Sequence, residues 1–212
     1  MNDAANGGGI RIRLAAPLDV PSITRIYNEG IRDRLATLET EERTPEERLA
    51  WLEARDDRHP VLVAEKDGAV AGWGSLNVFN PRPAYAHVAD FSIYVGQEAR
   101  GTGIGKALLA ALIERARELG YHKLVLAAFP HNEAGMRLYT RFGFREVGVY
   151  REQGLLDGRW VDVVIMERLL DETARRVGGR RSDVGEPARK RVRGRSESRS
   201  PHYSPTQRSR LP

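Results

Sequence analysis

The chain has 212 residues, 41% of them hydrophobic and 30% charged, and it contains no cysteine. That length accommodates one packed core plus tails, and the composition excludes a wholly disordered or collagen-like protein. The missing thiols exclude disulfides, thiolate metal sites and a cysteine nucleophile. No apolar run reaches the roughly 18 residues that a membrane-spanning helix needs, and residues 1–16 hold no continuous apolar leader segment. A cytoplasmic location is expected.

The formal net charge of +5 is unevenly placed. Residues 171–212 carry 12 of the 34 Lys and Arg but only 5 of the 29 Asp and Glu, which leaves 22 basic and 24 acidic residues elsewhere. The folded part is therefore not basic, and neither a nucleic acid nor a membrane is an expected partner for it. Residues 171–212, rich in Arg, Ser, Gly and Pro, read as a disordered basic tail, and residues 1–9 as a disordered N-terminus. Arg189, Lys190, Arg191, Arg193 and Arg195 leave RNA or an acidic membrane open for the tail alone, beside a plain solvated extension.

From residue 10 onward strands and helices alternate. Arg11 to Leu14 reads as a strand, and Asp19 opens an amphipathic helix with Val20, Ile23, Ile26, Tyr27 and Ile31 on one face. Thr44-Pro45-Glu46-Glu47 is a capping box that starts a second helix running to about Arg55. Val61 to Glu65 and Val70 to Val78 form a hairpin through Asp67-Gly68, and His87 to Val95 is the next strand. A long helix with Leu108, Leu109, Leu112 and Ile113 inward stops at Gly120, before a buried strand from Lys123 to Ala128. Asn132 caps a short helix that Gly143 ends. Phe144 to Arg151 and Trp160 to Arg168, joined at Asp157-Gly158, complete a mostly antiparallel sheet. There is no internal repeat.

The chemistry concentrates in Gln97 to Lys106, where a strand gives way to the long helix. Glycines at 101, 103 and 105 let backbone amides converge at a helix N-terminus, a place suited to a phosphate or pyrophosphate. The spacing fits neither a dinucleotide fingerprint nor a nucleotide P-loop, since Lys106 is followed by Ala107. A tight connection with no ligand is the plain alternative for a glycine-rich turn alone.

The set of motifs as a whole resembles the GNAT superfamily of acetyl-CoA-dependent N-acetyltransferases. Arg100, Gly103 and Gly105 match its acetyl-CoA signature, and Asn132-Glu133-Ala134 with Leu138-Tyr139 and Phe142-Gly143-Phe144 resembles its second cofactor segment. Within it, the chain is similar to the phosphinothricin, methionine sulfoximine and arsinothricin acetyltransferase group. Ile26-Tyr27-Asn28, Leu38-Glu39-Thr40-Glu41, Arg82-Pro83-Ala84-Tyr85, Ser92-Ile93-Tyr94-Val95 and Gly158-Arg159-Trp160 are among the segments that carry this likeness. It spans roughly Ile10 to Leu170. It implies an α+β, three-layer α/β/α fold over residues 10–170, with a mixed, mostly antiparallel sheet and helices on both faces. It also implies a homodimer and a small amino-acid-like substrate acetylated on its α-amino group, as in detoxification and resistance.

The same resemblance assigns roles. Ile93, Tyr94 and Val95 would hold the pantetheine arm, and Gly101, Thr102, Gly103, Ile104, Gly105 and Lys106, with Arg100, would cradle the pyrophosphate. Asn132 and Arg141 would complete the cofactor contacts. Asp90 stands where the group usually has a glutamate and is assigned as general base, directly or through water; a charge on a solvent face is the alternative. Tyr139, where the group often has histidine, is assigned as the acid that protonates the departing thiolate, or else is a core tyrosine. Phe79, Arg82, Tyr85 and His87 lie on the segment that faces the acceptor in relatives, and Arg82 suits an anionic head unless its loop is merely exposed. By the same resemblance, Thr37, Glu39 and Arg43 are expected to reach the substrate of a neighbouring subunit. The five histidines lack ligand spacing, so no metal is expected. Two other readings remain open: an acetyltransferase for protein N-termini or lysines, and a non-catalytic acetyl-CoA-binding module.

Overall fold

The computed structural model describes residues 9–170, and the readings made for residues 1–8 and 171–212 lie outside the described residues. The strands are β1 (Arg11–Leu14), β2 (Val61–Lys66), β3 (Ala69–Val78), β4 (Val88–Val95), β5 (Lys123–Ala128), β6 (Arg145–Leu156) and β7 (Arg159–Leu169). The helices are α1 (Val20–Arg32), α2 (Pro45–Glu53), α3 (Ile104–Glu118) and α4 (Glu133–Arg141). One sheet forms in the order β1-β2-β3-β4-β5-β7-β6, antiparallel throughout except between β4 and β5.

Two cores lie on opposite faces of this sheet. On one, Ile23, Ile26, Tyr27 and Ile31 of α1 pack against Val61, Val63, Trp73 and Tyr94. On the other, Leu108, Leu109 and Leu112 of α3 pack against Leu62, Ala64, Leu76 and Phe91. The alternation along β2, odd positions toward α1 and even ones toward α3, follows from the period of two in a strand. This is the expected α+β arrangement with helices on both faces. Among the described residues no helix is long and apolar enough to cross a membrane.

Local chemistry fixes many of the element ends. Thr44 Oγ1 accepts from the Glu47 amide at 3.2 Å and Glu47 Oε2 accepts from the Thr44 amide at 2.8 Å, the reciprocal capping box that starts α2. Asp67 and Gly68 at φ 52° and 79°, like Asp157 and Gly158 at 49° and 76°, supply the positive φ pair of tight hairpins.

Several boundaries differ from the sequence reading, most by a single residue. Helix α2 stops at Glu53, and β4 starts at Val88. Asp19 does not cap α1 with its side chain. It is buried, and it accepts instead from the Arg13 guanidinium at 2.6 and 2.7 Å and from the Ala16 amide at 2.8 Å. Strand β6 continues past Arg151 to Leu156 because Arg151, Glu152 and Gln153 bulge out opposite Asp162. Glu152 sits at φ 51° and its amide donates to Asp162 Oδ1 at 2.8 Å. A bulge breaks the alternation on which a strand is recognised.

The parallel pair positions the site. β4 and β5 are in register only over Val88 to Asp90 against Lys123 to Val125. Beyond Asp90 they part, and among the described residues no strand lies beside residues 91–95 on the β5 side.

Candidate active site

The gap between β4 and β5 opens into three connected cavities. The largest, about 420 Å³, is walled by Ile93, Tyr94 and Val95 on β4, by the turn from Arg100 to Lys106, and by α4. Gly103 caps α3 at φ 94°, a conformation that side chains disfavour, and the first amides of α3 have no acceptor within the helix. Gly105 faces Leu138, whose Cδ2 an added Cβ would touch at 3.4 Å, an ordinary van der Waals distance. Lys106 and Arg141 line the same cavity, and among the described residues neither has an ion-pair partner. Helix amides plus two cations suit a pyrophosphate, and the unpaired edge of β4 suits an amide-bearing chain such as pantetheine.

A second cavity of about 340 Å³ is walled by Ala36, Thr37 and Leu38 from the α1–α2 loop, Asp90, Phe91, Ser92 and Tyr94 from β4, and residues from β5 to β7. A passage of about 50 Å³ joins the two, sharing Ala36 and Tyr94 with both. Asp90 lies in the second cavity, whereas Tyr139 lies in the first cavity and in the passage. The candidate base and acid therefore line adjoining cavities, near enough that the charge of Asp90 bears on the Tyr139 phenol.

Burial raises the Asp90 carboxyl to about 6, against the opposing pull of hydrogen bonds from Asn77 and the Phe91 amide. The Tyr139 phenol is pushed up to about 12 by burial and then by the charge of Asp90. Its ring packs edge-on against Phe91 at 5.9 Å. Burial also raises Tyr94, against the opposing pull of Thr37 and Arg48, and its ring stacks on Trp73 at 4.7 Å.

Of the residues the sequence singles out, Ile93, Tyr94, Val95, Gly101, Gly103, Gly105, Lys106, Asn132, Tyr139 and Arg141 come together around the largest cavity. Arg100 also lines it, while forming an ion pair with Asp33. Thr102 turns its hydroxyl to the Ala99 carbonyl at 2.7 Å, and Ile104 is buried in the core, so only their backbones are near. Asn132 Oδ1 caps α4 by accepting from the Gly135 amide at 3.0 Å.

Asp90 and Thr37 line the second cavity, but Phe79, Arg82, Tyr85, His87, Glu39 and Arg43 are not among its walls. The Phe79 and Tyr85 rings meet at a tilt of 55° with centroids 5.6 Å apart, both exposed, and Arg82 lies on the exposed loop beside them. Arg43 pairs with Glu39, and its backbone N–H and C=O are both held by the buried Asn28 side chain at 2.9 Å. Sequence reasoning missed Ser92, Phe129, Tyr150 and Gln153, which line the second cavity. The bulge in β6 brings Gln153 there, and no local pattern announces it. Among the described residues no cluster of metal-ligating side chains occurs.

Comparison with known proteins agrees with this geometry. Residues 23–144 match the model of the acetyltransferase (GNAT) family. The chain is 35% identical over 164 residues to the L-methionine sulfoximine/L-methionine sulfone acetyltransferase of Salmonella typhimurium, covering 77% of this chain and 96% of that protein. A GNAT superfamily phosphinothricin acetyltransferase from Sinorhizobium meliloti, solved in complex with acetyl-CoA, superposes with a TM-score of 0.70 at 33% identity, covering 76% and 88% of the two chains. A ribosomal-protein-alanine N-acetyltransferase from Brucella melitensis superposes at 0.73 with 39% identity, covering 75% and 99%. The chain belongs to the acetyltransferase (GNAT) family and is an N-acetyltransferase that takes acetyl-CoA as its acyl donor.

Proposed function

We propose that the protein acetylates the α-amino group of a small amino-acid analogue of the phosphinothricin, methionine sulfoximine, methionine sulfone or arsinothricin type, and so confers resistance to it. The observation that carries this reading is the second cavity, of amino-acid size and joined to the donor cavity by a narrow passage. Apart from Asp90 its walls are uncharged, with Leu38, Phe129, Val163 and Ile165 giving it an apolar side. An ionic side chain is costly to desolvate there, so within the group the uncharged sulfone and sulfoximine heads suit it better than phosphinate or arsonate.

Acetyl-CoA supplies a thioester whose carbonyl is open to attack by an uncharged amine. In our reading Asp90, at the acceptor end, takes the ammonium proton directly or through one water, and its raised pKa suits a base working near neutrality. Tyr139, at the donor end, keeps its proton through the working range and gives it to the thiolate. Gly101 to Lys106 and Arg141 bind the phosphates, and the free edge of β4 aligns the pantetheine arm.

The reading includes a homodimer. The β6–β7 hairpin exposes Val147, Val149, Tyr150, Leu155 and Trp160, the last at 63%, apolar side chains that a second subunit would cover. Because Tyr150 and Gln153 share that hairpin with the acceptor cavity, a partner seated on it would close the cavity. Residues 171–212 have no part in catalysis in this reading, and the cysteine-free chain suits a cytoplasmic setting.

Thiol release from acetyl-CoA with a panel of methionine sulfone, methionine sulfoximine, phosphinothricin, arsinothricin, glutamate and an Ala-starting peptide tests the proposal. Turnover of an amino-acid analogue is the expected result. The 39% identity to a ribosomal-protein-alanine acetyltransferase supports the second reading, which turnover of the peptide alone would establish.

A further inference from the structure

Behind Asp90 runs a set of hydrogen bonds that the proposed proton transfers do not use. Antiparallel pairing sets Asn77 of β3 opposite Asp90 of β4 and Ser75 opposite Ser92, so the strand period puts all four side chains on one face. Asn77 stands directly across from Asp90 in the strand register, where its amide favours the ionised carboxylate, and its Nδ2 donates to Ser92 Oγ at 3.2 Å. At the other end of the same amide, Oδ1 accepts from Arg55 Nη2 at 3.1 Å and from Ser75 Oγ at 2.9 Å. This pattern allows one orientation only. A flipped amide would turn its carbonyl on a carboxylate and its NH2 on a guanidinium.

Arg55, two residues beyond α2, is itself fixed. It donates to the His59 carbonyl at 2.8 Å and to the Leu76 carbonyl, and its guanidinium lies over the Trp51 ring at 5.1 Å. Among the described residues no carboxylate pairs with it, and Asp56 is the acid whose charge it feels most. An arginine held this way stays charged, so its charge is spent on carbonyl groups, one of them the Asn77 amide.

We propose that Asn77 and Arg55 are positioning residues for Asp90: the Arg55 charge locks the Asn77 amide in one orientation, and that amide holds the Asp90 carboxylate toward the acceptor cavity. The inference rests on the assignment of Asp90 as the proton acceptor. The other groups about Asp90 are the Tyr139 phenol from α4, the Thr37, Ser92 and Tyr94 hydroxyls and, across the cavity, the Tyr150 phenol. Arg48 of α2, which bears on Tyr94 and lies over the Tyr27 ring, takes no part in these hydrogen bonds, so among the described residues Arg55 is the cation bonded to Asn77.

A hydrogen bond to the ionised carboxylate favours ionisation, so its loss raises the pH at which Asp90 takes up a proton. The test is a carbon-13 titration of the aspartate carboxyls in the full chain, with the Asp90 signal identified by its loss in Asp90→Asn. It is run beside the pH profile of kcat/KM for the preferred amino acid. Asn77→Leu is expected to move the Asp90 midpoint up by about one pH unit, Arg55→Met by less, and Arg55→Lys and Ser75→Ala least, with KM for acetyl-CoA unchanged. An Asp90 midpoint that stays in place in both Asn77→Leu and Arg55→Met overturns the proposal. A midpoint that moves while the kcat/KM limb does not supports the positioning and removes Asp90 from the role of base.

Discussion

Arg34 and Asp157 form a two-pronged ion pair, Nε to Oδ2 at 3.0 Å and Nη2 to Oδ1 at 3.1 Å, that ties the α1–α2 loop to the β6–β7 turn. Arg34 also reaches the Ile31 and Glu39 carbonyls, and its own carbonyl meets His131 Nε2 at 3.1 Å. The loop that supplies Ala36, Thr37 and Leu38 to the acceptor cavity is thus anchored from two sides.

Because the pair is exposed, its loss should cost stability no more than about 1 kcal/mol. Arg34→Gly also relieves the positive φ of 54° at this position. The expected result is a severalfold rise in acceptor KM, with KM for acetyl-CoA and the melting temperature nearly unchanged. Steady-state kinetics varying each substrate in turn would show it.

The acid limb of kcat/KM should fall below a midpoint near 6, where Asp90 gains its proton and ceases to be a base. Tyr139, pushed up to about 12, should contribute no basic limb below pH 10. In Tyr139→Phe the acid limb is expected to remain while kcat drops about 100-fold. A profile from pH 5 to 10 on both proteins decides this.

Asp90 should also weaken the fold at neutral pH. Its folded pKa lies above the unfolded value near 3.8, so the linked stability is present below pH 4 and is lost as pH rises through 6. Asp90→Asn is therefore expected to gain roughly 2–3 kcal/mol at pH 8, little at pH 4, and to lose activity. Urea titrations at the two pH values measure it.

The opposite sign holds for Asp19, which the Arg13 guanidinium keeps below the usual carboxylate range. Its contribution is present above pH 4 and disappears as acid protonates it through that lowered value. Asp19→Ala leaves Arg13 facing Glu65 alone and strips the Ala16 amide of its acceptor. A loss of about 3 kcal/mol at pH 7 is expected, read by chemical denaturation.

Gln153 is the one carboxamide on the acceptor cavity. Gln153→Ala should raise KM for a sulfone or sulfoximine about 10-fold, as for one lost hydrogen bond of about 1.4 kcal/mol, and should leave a thioether analogue unaffected. Comparison of methionine sulfone with methionine tests this.

The donor half of the site was legible in the sequence because it is continuous there. Gly101 to Lys106 form one turn, and Asn132 announces α4 with its own cap, so residue types a few positions apart suffice. The capping box at Thr44 and the Asp-Gly hairpins were legible for the same reason. The acceptor half is assembled across the sheet. Asn77 meets Asp90 only through the β3–β4 register, and Gln153 enters the cavity only because β6 bulges opposite Asp162. Neither register nor bulge leaves a local mark. The Phe79 to His87 segment was singled out by likeness alone, and within one subunit it stands outside the cavity.

A sheet is ordinarily a wall between two layers of a protein. Here two strands that share three paired positions leave a window in it, with one chamber at each end. A molecule held in one chamber and a molecule held in the other can meet through this window. Such a layout favours direct transfer while both are held, with no need for the protein itself to carry the acetyl group between them.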